Sequence, residues 1–326
     1  MYKSKLSIKE TQIAIQNLKK YFQEQLKKNL NLVRATAPLF VAKTSGLNDG
    51  LNGEAPVSFK VKGSEQQLEV VHSLAKWKRN ALKEYNFDVY EGIYTDMNAI
   101  RREEELDNTH SYYVDQWDWE KIIENKDRNL NYLKETVNLI YDALYKTKEK
   151  LVEQFPNLTN DLVKKVYFIS SQELENKYPN YSVDERETLI TKEKGAVFVY
   201  QIGYPLKSKI IHSRRAFDYD DWNLNGDLLV YSKVLEKAIE LSSMGIRVNE
   251  KSILEQSKMS KKEIEQISPY HYNVVNNLLP LTIGGGIGQS RVSMFLLEKK
   301  HIGEVQSSYW PENYKLKLKK EGIEIL

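Results

Sequence analysis

Apolar residues recur at helical spacing near the start of the chain. Ile8, Ile15, Leu18, Phe22 and Leu26 fall on one face of residues 7–30, with lysines and glutamines on the other. Ser7 and Glu10 stand three apart at its beginning, where each side chain can satisfy an orphan amide of the first turn, so a capped amphipathic helix is predicted. The period then changes. Leu32 and Val33 lead to Pro38, which ends regular structure or sits at a strand edge. Residues 44–56 are rich in Gly, Asn and Asp and read as loop. Val57, Phe59 and Val61 alternate with polar residues and predict a half-buried strand; residues 67–71 and 92–100 predict two more. Leu130, Leu133, Val137, Ile140 and Leu144 mark a long helix. Residues 196–200, 228–231 and 238–241 are short apolar strands, and residues 274–279 belong to a helix. Leu281 to Ile283 run into a cluster of glycines, followed by an apolar helix over 291–297. Strands come in groups rather than alternating one-for-one with helices. The expected fold is therefore α+β, a mostly antiparallel β-sheet flanked by helices, as a single domain over residues 1–326.

Composition narrows the function. The chain is 41% hydrophobic and 29% charged, which is ordinary globular chemistry. Its 48 basic and 45 acidic residues leave a net charge of +3, too balanced for a large nucleic-acid footprint. With no cysteine, disulfides, thiolate metal sites and thiol nucleophiles are excluded. No apolar run has the length of a signal peptide or a membrane-spanning helix. A cytoplasmic protein with no membrane or nucleic-acid partner is expected.

Candidate chemistry sits in three places. The run Gly284-Gly285-Gly286-Ile287-Gly288-Gln289-Ser290-Arg291 lets the backbone pass close to a flat or phosphate-bearing ligand, and Arg291 can stack on a base or fork onto phosphate. By itself it is equally a tight strand-to-helix turn. Arg101 and Glu103, two apart at the end of a predicted strand, would share one face and could grip a nucleotide, although a charged hairpin tip explains them as well. Pro38 is, alone, only a proline at a strand edge. No phosphate-binding P-loop motif is present, Gln289 breaks the dinucleotide fingerprint, and the five histidines lack metal spacing. Lys76 and Arg79 read as a solvated basic face, and Trp117 and Trp119 as packing residues of a strand.

Taken in order, these three segments resemble motifs 1, 2 and 3 of class II aminoacyl-tRNA synthetases. The stretch from Glu240 to Arg247 is similar to the strand that holds metal and substrate in their aspartyl and asparaginyl branch. Motif 1 begins near residue 7, and roughly 35 residues follow Arg291, whereas a domain needs at least about 50. No anticodon-binding domain is expected. The strings His72-Ser73-Leu74-Ala75-Lys76-Trp77-Lys78-Arg79, Tyr113-Val114-Asp115-Gln116-Trp117-Asp118-Trp119-Glu120 and Asp218-Tyr219-Asp220-Asp221-Trp222 go further. With Gly245-Ile246-Arg247-Val248 and the glycine run, they make the chain resemble the ammonia-dependent asparagine synthetase (aspartate–ammonia ligase) family, from about residue 5 to Trp310.

That resemblance implies ATP-dependent conversion of aspartate and ammonia to asparagine through a β-aspartyl-adenylate. Arg101 would stabilise charge at the α-phosphate. Arg291 would contact the adenine or the triphosphate tail, and Glu103, Gly286 and Gly288 would complete the ATP site. Glu240 would bind Mg²⁺, with Asp227 or Asp220 as a second ligand. Lys78, Arg247, Gln116 and Ser111 suit the carboxylates of aspartate, and Ser243 is a further substrate-binding residue. Asp49, Asp118 and Asp220 suit its amine, and one of these acids would take the proton from ammonium. A homodimer is expected, with the helix and strand of residues 7–40 building the interface and their apolar stripe packed across a two-fold axis. The competing reading is a synthetase-like paralogue that adenylates an amino acid for another acceptor such as tRNA.

Overall fold

The computed structural model describes residues 2–50 and 53–326, so two positions of the predicted 44–56 loop lie outside the described residues. Helix α1 (Ile8–Leu30) starts as its residues dictate. Ser7 Oγ accepts the Glu10 amide at 3.3 Å and the Glu10 carboxylate accepts the Ser7 amide at 2.8 Å. It stops at Asn31, whose backbone is left-handed (φ 58°). Strands β1 (Leu32–Arg34) and β2 (Phe40–Ala42) follow with Pro38 between them, then β3 (Ser58–Phe59), β4 (Leu68–Val70) and helix α2 (Ala75–Glu84). Next come β5 (Gly92–Ile100), β6 (Tyr113–Ile122), the long helix α3 (Leu130–Gln154), β7 (Tyr167–Ser170), α4 (Ser171–Lys177), α5 (Val183–Lys194) and β8 (Ala196–Tyr200). The chain continues through β9 (Asp220–Ser232), β10 (Lys237–Arg247), α6 (Ser252–Ser257), α7 (Lys261–Glu265) and α8 (Pro269–Val275). It ends with β11 (Thr282–Gly288), α9 (Gln289–Leu296) and α10 (Glu312–Lys320).

The main sheet runs β1-β5-β6-β11-β10-β9-β8-β7. Every pairing from β5 across to β8 is antiparallel, and only the edge strands β1 and β7 lie parallel to their neighbours. A small antiparallel sheet, β2-β4-β3, stands apart. This is the predicted α+β architecture. The period of two along β6 decides its two faces. Trp117 and Trp119 point into the core and are fully buried, with the Trp117 ring 4.4 Å from Phe22 of α1. Gln116, Asp118 and Glu120 point to the opposite face.

Four expectations need correction. The apolar stripe of α1 (Ala14, Leu18, Phe22, Leu26, Leu30) is consumed inside the chain's own core against α3 and β6, so it is not free to pack across a two-fold axis; Ile8, at its flank, stays exposed. The strand expected over Val57, Phe59 and Val61 shrinks to two residues, because a turn at Lys62 and Gly63 (φ 84°) follows at once. The helix expected over 274–279 ends at Val275, with Asn277 left-handed (φ 54°). Strands β9 and β10 outrun their apolar segments, to Asp220 and Arg247. Those polar residues face a charged cleft rather than solvent.

Candidate active site

The glycine run is not a turn. It is strand β11, hydrogen-bonded on both sides, in register with β6 (Gly284 with Glu120, Gly286 with Asp118) and with β10 (Gly286 with Ser243). On this face of the sheet lies a cleft of about 470 Å³. Asp49, Arg101, Ser111, Gln116, Asp118, Asp220, Glu240, Ser243, Arg247, Gly286, Gly288 and Arg291 all line it. Residues from eight separate segments of the chain are thus brought to one place.

At one end the floor carries paired charges. Lys78, on α2, is fully buried and ion-paired with Asp118; its Nζ also donates to Gly285 O at 3.3 Å and lies 3.9 Å from Glu120. It does not reach the cleft surface. Burial pushes its pKa down, against the charges of Asp118 and Glu120. The second Asp118 oxygen accepts the Leu74 amide at 3.1 Å, at the start of α2. Arg247 donates from Nε to both Glu120 oxygens at 3.0 and 3.1 Å, from Nη2 to Glu120 at 2.7 Å, and from Nη1 to Asp220. Burial opposes its charge, but Glu120 and Asp220 outweigh burial and hold the guanidinium protonated. Burial likewise opposes charge on Glu120, and Arg247 keeps that carboxyl low. For Asp220 burial prevails over Arg247 and the pKa rises. Two cations therefore face three carboxylates in a dry floor, which favours binding of one more positive charge.

The other end is rich in arginine. Arg101 follows β5, its amide bonded to Tyr112 O at 2.9 Å and its guanidinium 3.7 Å from Glu104. Arg291, in the first turn of α9, donates to Thr109 O at 3.3 Å and Glu240 O at 3.2 Å. Glu240 is half exposed at the cleft edge. The carboxylates expected to share a metal with it are otherwise engaged: Asp220 by Arg247 and Asp227 by Arg215. Among the described residues no group of three acidic or histidine side chains could hold a metal ion. Glu240 alone fits Mg²⁺ only as the protein's part of a shell completed by phosphate oxygens and water, the usual manner of Mg²⁺ with nucleotides.

Glu103 departs from expectation. The strand ends at Ile100, and the turn that follows sends Glu103 to the surface beside Arg102 (3.5 Å), while Glu104 lines the cleft. Lys76 and Arg79 are not solvated. Lys76 bonds Asp218 at 2.8 Å, Asp218 meets His271 Nε2 at 3.0 Å, and Arg79 donates to Pro280 O and Val248 O at 2.9 and 2.7 Å. Burial would raise the Asp218 pKa, but His271 and Lys76 outweigh it and hold it at about 2. Arg214, Arg215, Asp115 and Gln306 also line the cleft and were missed. Two adjacent arginines just ahead of the Asp218-Tyr219-Asp220 string were a usable signal; nothing local marks Gln306.

The fold is that of the catalytic core of class II aminoacyl-tRNA synthetases. The asparaginyl-tRNA synthetase of Pyrococcus horikoshii in complex with asparaginyl-adenylate superposes with a TM-score of 0.68 at 17% identity, over 92% of this chain and 69% of that one. For the Entamoeba histolytica asparaginyl-tRNA synthetase with the same adenylate the values are 0.63 and 16%, over 92% and 66%, so the chain spans about two thirds of that synthetase's length. The model of the family "Aspartate-ammonia ligase" matches residues 9–322. Proteins of that name from Clostridium perfringens (strain 13 / Type A) and Bacillus cereus (strain G9842) are 54% and 52% identical, over 100% of this chain and 97% and 100% of theirs. The chain belongs to the aspartate–ammonia ligase family.

Proposed function

We propose that the chain makes L-asparagine from L-aspartate, ammonia and ATP through a β-aspartyl-adenylate, releasing pyrophosphate and then AMP. The observation that carries this reading is a single cleft lined both by the paired charges of Asp118, Asp220 and Arg247 and by Arg101, Arg214, Arg215 and Arg291. Carboxylate and triphosphate repel, so fixed positive charge at the α-phosphate is the main catalytic need, and Arg101 supplies it. A β-carboxylate oxygen bonds to the α-phosphorus as pyrophosphate leaves. Arg291 holds the adenine or the phosphate tail, with Gly286 and Gly288 beneath; Glu104 takes the place expected of Glu103. Mg²⁺, held by Glu240 together with the phosphates, would neutralise the tail. Arg247, Gln116, Ser111 and Ser243 receive the carboxylates of aspartate, and Lys78 fixes Asp118 from below. Asp49, Asp118 and Asp220 receive positive charge. Asp220, whose pKa burial raises, suits the removal of a proton from ammonium. Ammonia nitrogen then bonds to the acyl carbon and AMP departs with one former carboxylate oxygen.

The chain is proposed to work as one catalytic domain, in the cytoplasm and without RNA; no helix among the described residues is long and apolar enough to cross a membrane. A homodimer remains our reading, built on the exposed apolar residues Val33, Leu39 and Phe40 around Pro38 instead of on α1. The test of the reaction is isotopic. Aspartate carrying heavy oxygen only in its β-carboxylate should deliver one labelled oxygen to AMP when ATP and ammonium are present without RNA. Label moving instead from the α-carboxylate would return the chain to the competing class of amino-acid-activating paralogues.

A further inference from the structure

Gly284, Gly286 and Gly245 have no conformational need to be glycine, since none of them adopts a positive φ. Nor does Gly284 line the cleft, so close approach of a ligand does not explain it. What fills the missing side chain is protein. A Cβ at Gly284 would stand 2.0 Å from Glu120 Oε2 and 2.6 Å from Arg247 Nη2. One at Gly286 would stand 2.2 Å from Gln116 Oε1, and one at Gly245 2.9 Å from Asp220 Oδ1. Each glycine therefore leaves a slot into which a polar side chain of a neighbouring strand leans flat across the sheet.

We infer that Gly284 and Glu120 form a positioning pair for the amino-acid half of the site: the Gly284 slot lets the Glu120 carboxylate lie in the floor, where it aims the Arg247 guanidinium at the aspartate. Glu120 is fully buried and meets Arg247 through three hydrogen bonds, so it touches no substrate and acts through Arg247. Arg247 has a second constraint, from Asp220 on the far side, and Lys78 lies 3.9 Å from Glu120. A methyl group at position 284 cannot enter without moving Glu120, Arg247 or both. The glycine run thus serves two substrates: its later residues underlie the nucleotide, while Gly284 tunes the amino acid. This rests on the ligase reading, which ammonium-dependent AMP release by the unaltered protein tests separately.

The test compares Gly284→Ala and Glu120→Gln with the unaltered chain by steady-state kinetics. Displacing a binding group by about 1 Å costs up to about 10²-fold, so KM for aspartate should rise by roughly 10- to 100-fold in both variants. KM for ATP should stay within about threefold, as expected when nucleotide contacts are untouched. Adding Glu120→Asp, one methylene shorter, to Gly284→Ala should recover part of the aspartate affinity by vacating the slot. An unchanged KM for aspartate in either single variant overturns the inference. So does a rise in KM for ATP equal to that for aspartate, or loss of both substrates together.

Discussion

Lys78→Met removes one ammonium from the driest part of the floor while nearly keeping its volume. In the native protein that ammonium is fully buried, paired with Asp118 and within 3.9 Å of Glu120. Without it, Asp118 keeps only the Leu74 amide, at 3.1 Å, and the floor holds three carboxylates against Arg247 alone. Opposite charges about 4 Å apart at an effective dielectric near 20 interact by about 4 kcal/mol. Breaking a buried pair from one side costs about 3–5 kcal/mol, so the two figures agree. For a chain this long that corresponds to a fall in Tm of roughly 4–7 °C. The check is urea unfolding followed by tryptophan emission, since Trp117 and Trp119 lie on the core side of the same strand. Adding Asp118→Asn to Lys78→Met removes the stranded anion and should recover about 2 kcal/mol. Both variants should be inactive. A loss below about 1 kcal/mol in the single variant, or a double variant no more stable than the single, would refute the account of the floor as a coupled charge network.

Arg101→Ala should lower aspartate-dependent pyrophosphate–ATP exchange by about 10²–10³-fold with an unchanged circular dichroism spectrum; near-normal exchange removes Arg101 from the chemistry. His301 accepts the Gly303 amide at Nδ1 (2.9 Å) and meets Tyr314 Oη at Nε2 (3.0 Å), and burial lowers its pKa to about 4. The unfolded chain, titrating near 6.5, binds the proton first, so stability is complete above that pH and declines by about 3 kcal/mol as pH falls towards 4. His301→Gln should flatten this slope in denaturation curves at pH 7 and 5, and an unaltered slope would count against it. Finally, sedimentation at micromolar concentration should show a dimer that Val33→Lys dissociates; a monomeric native chain would end the dimer proposal.

Much of the fold is legible because its signals are local. The Ser7–Glu10 capping box lies within one helical turn, and β5 and β8 begin and end where alternation and apolar runs predict. The errors share a different cause. Lys76 and Arg79 look solvated because their partners, Asp218 for the first and Val248 and Pro280 for the second, are more than 100 residues away in sequence. Likewise β10 looks shorter than it is, since Ser242, Ser243, Gly245 and Arg247 interrupt the apolar run, and Met244 and Ile246 between them are buried. Glu103 and Glu104 are adjacent, and only the turn at the end of β5 decides which of them enters.

The same strand also shows why so costly a floor can be kept. On β6 the odd positions Trp117 and Trp119 fill the core, while the even positions Gln116, Asp118 and Glu120 meet Gly286, Lys78 and Arg247. A slip of one residue against β11 would drive both tryptophans into the cleft and three polar groups into the apolar core. It would also set Glu120 against Ile283 or Gly285 instead of the Gly284 slot. A buried ion pair adds little net stability compared with apolar packing. Here its strength is that it is satisfied in only one register, and that register is the one that presents the arginines, the acids and the glycines to a common substrate.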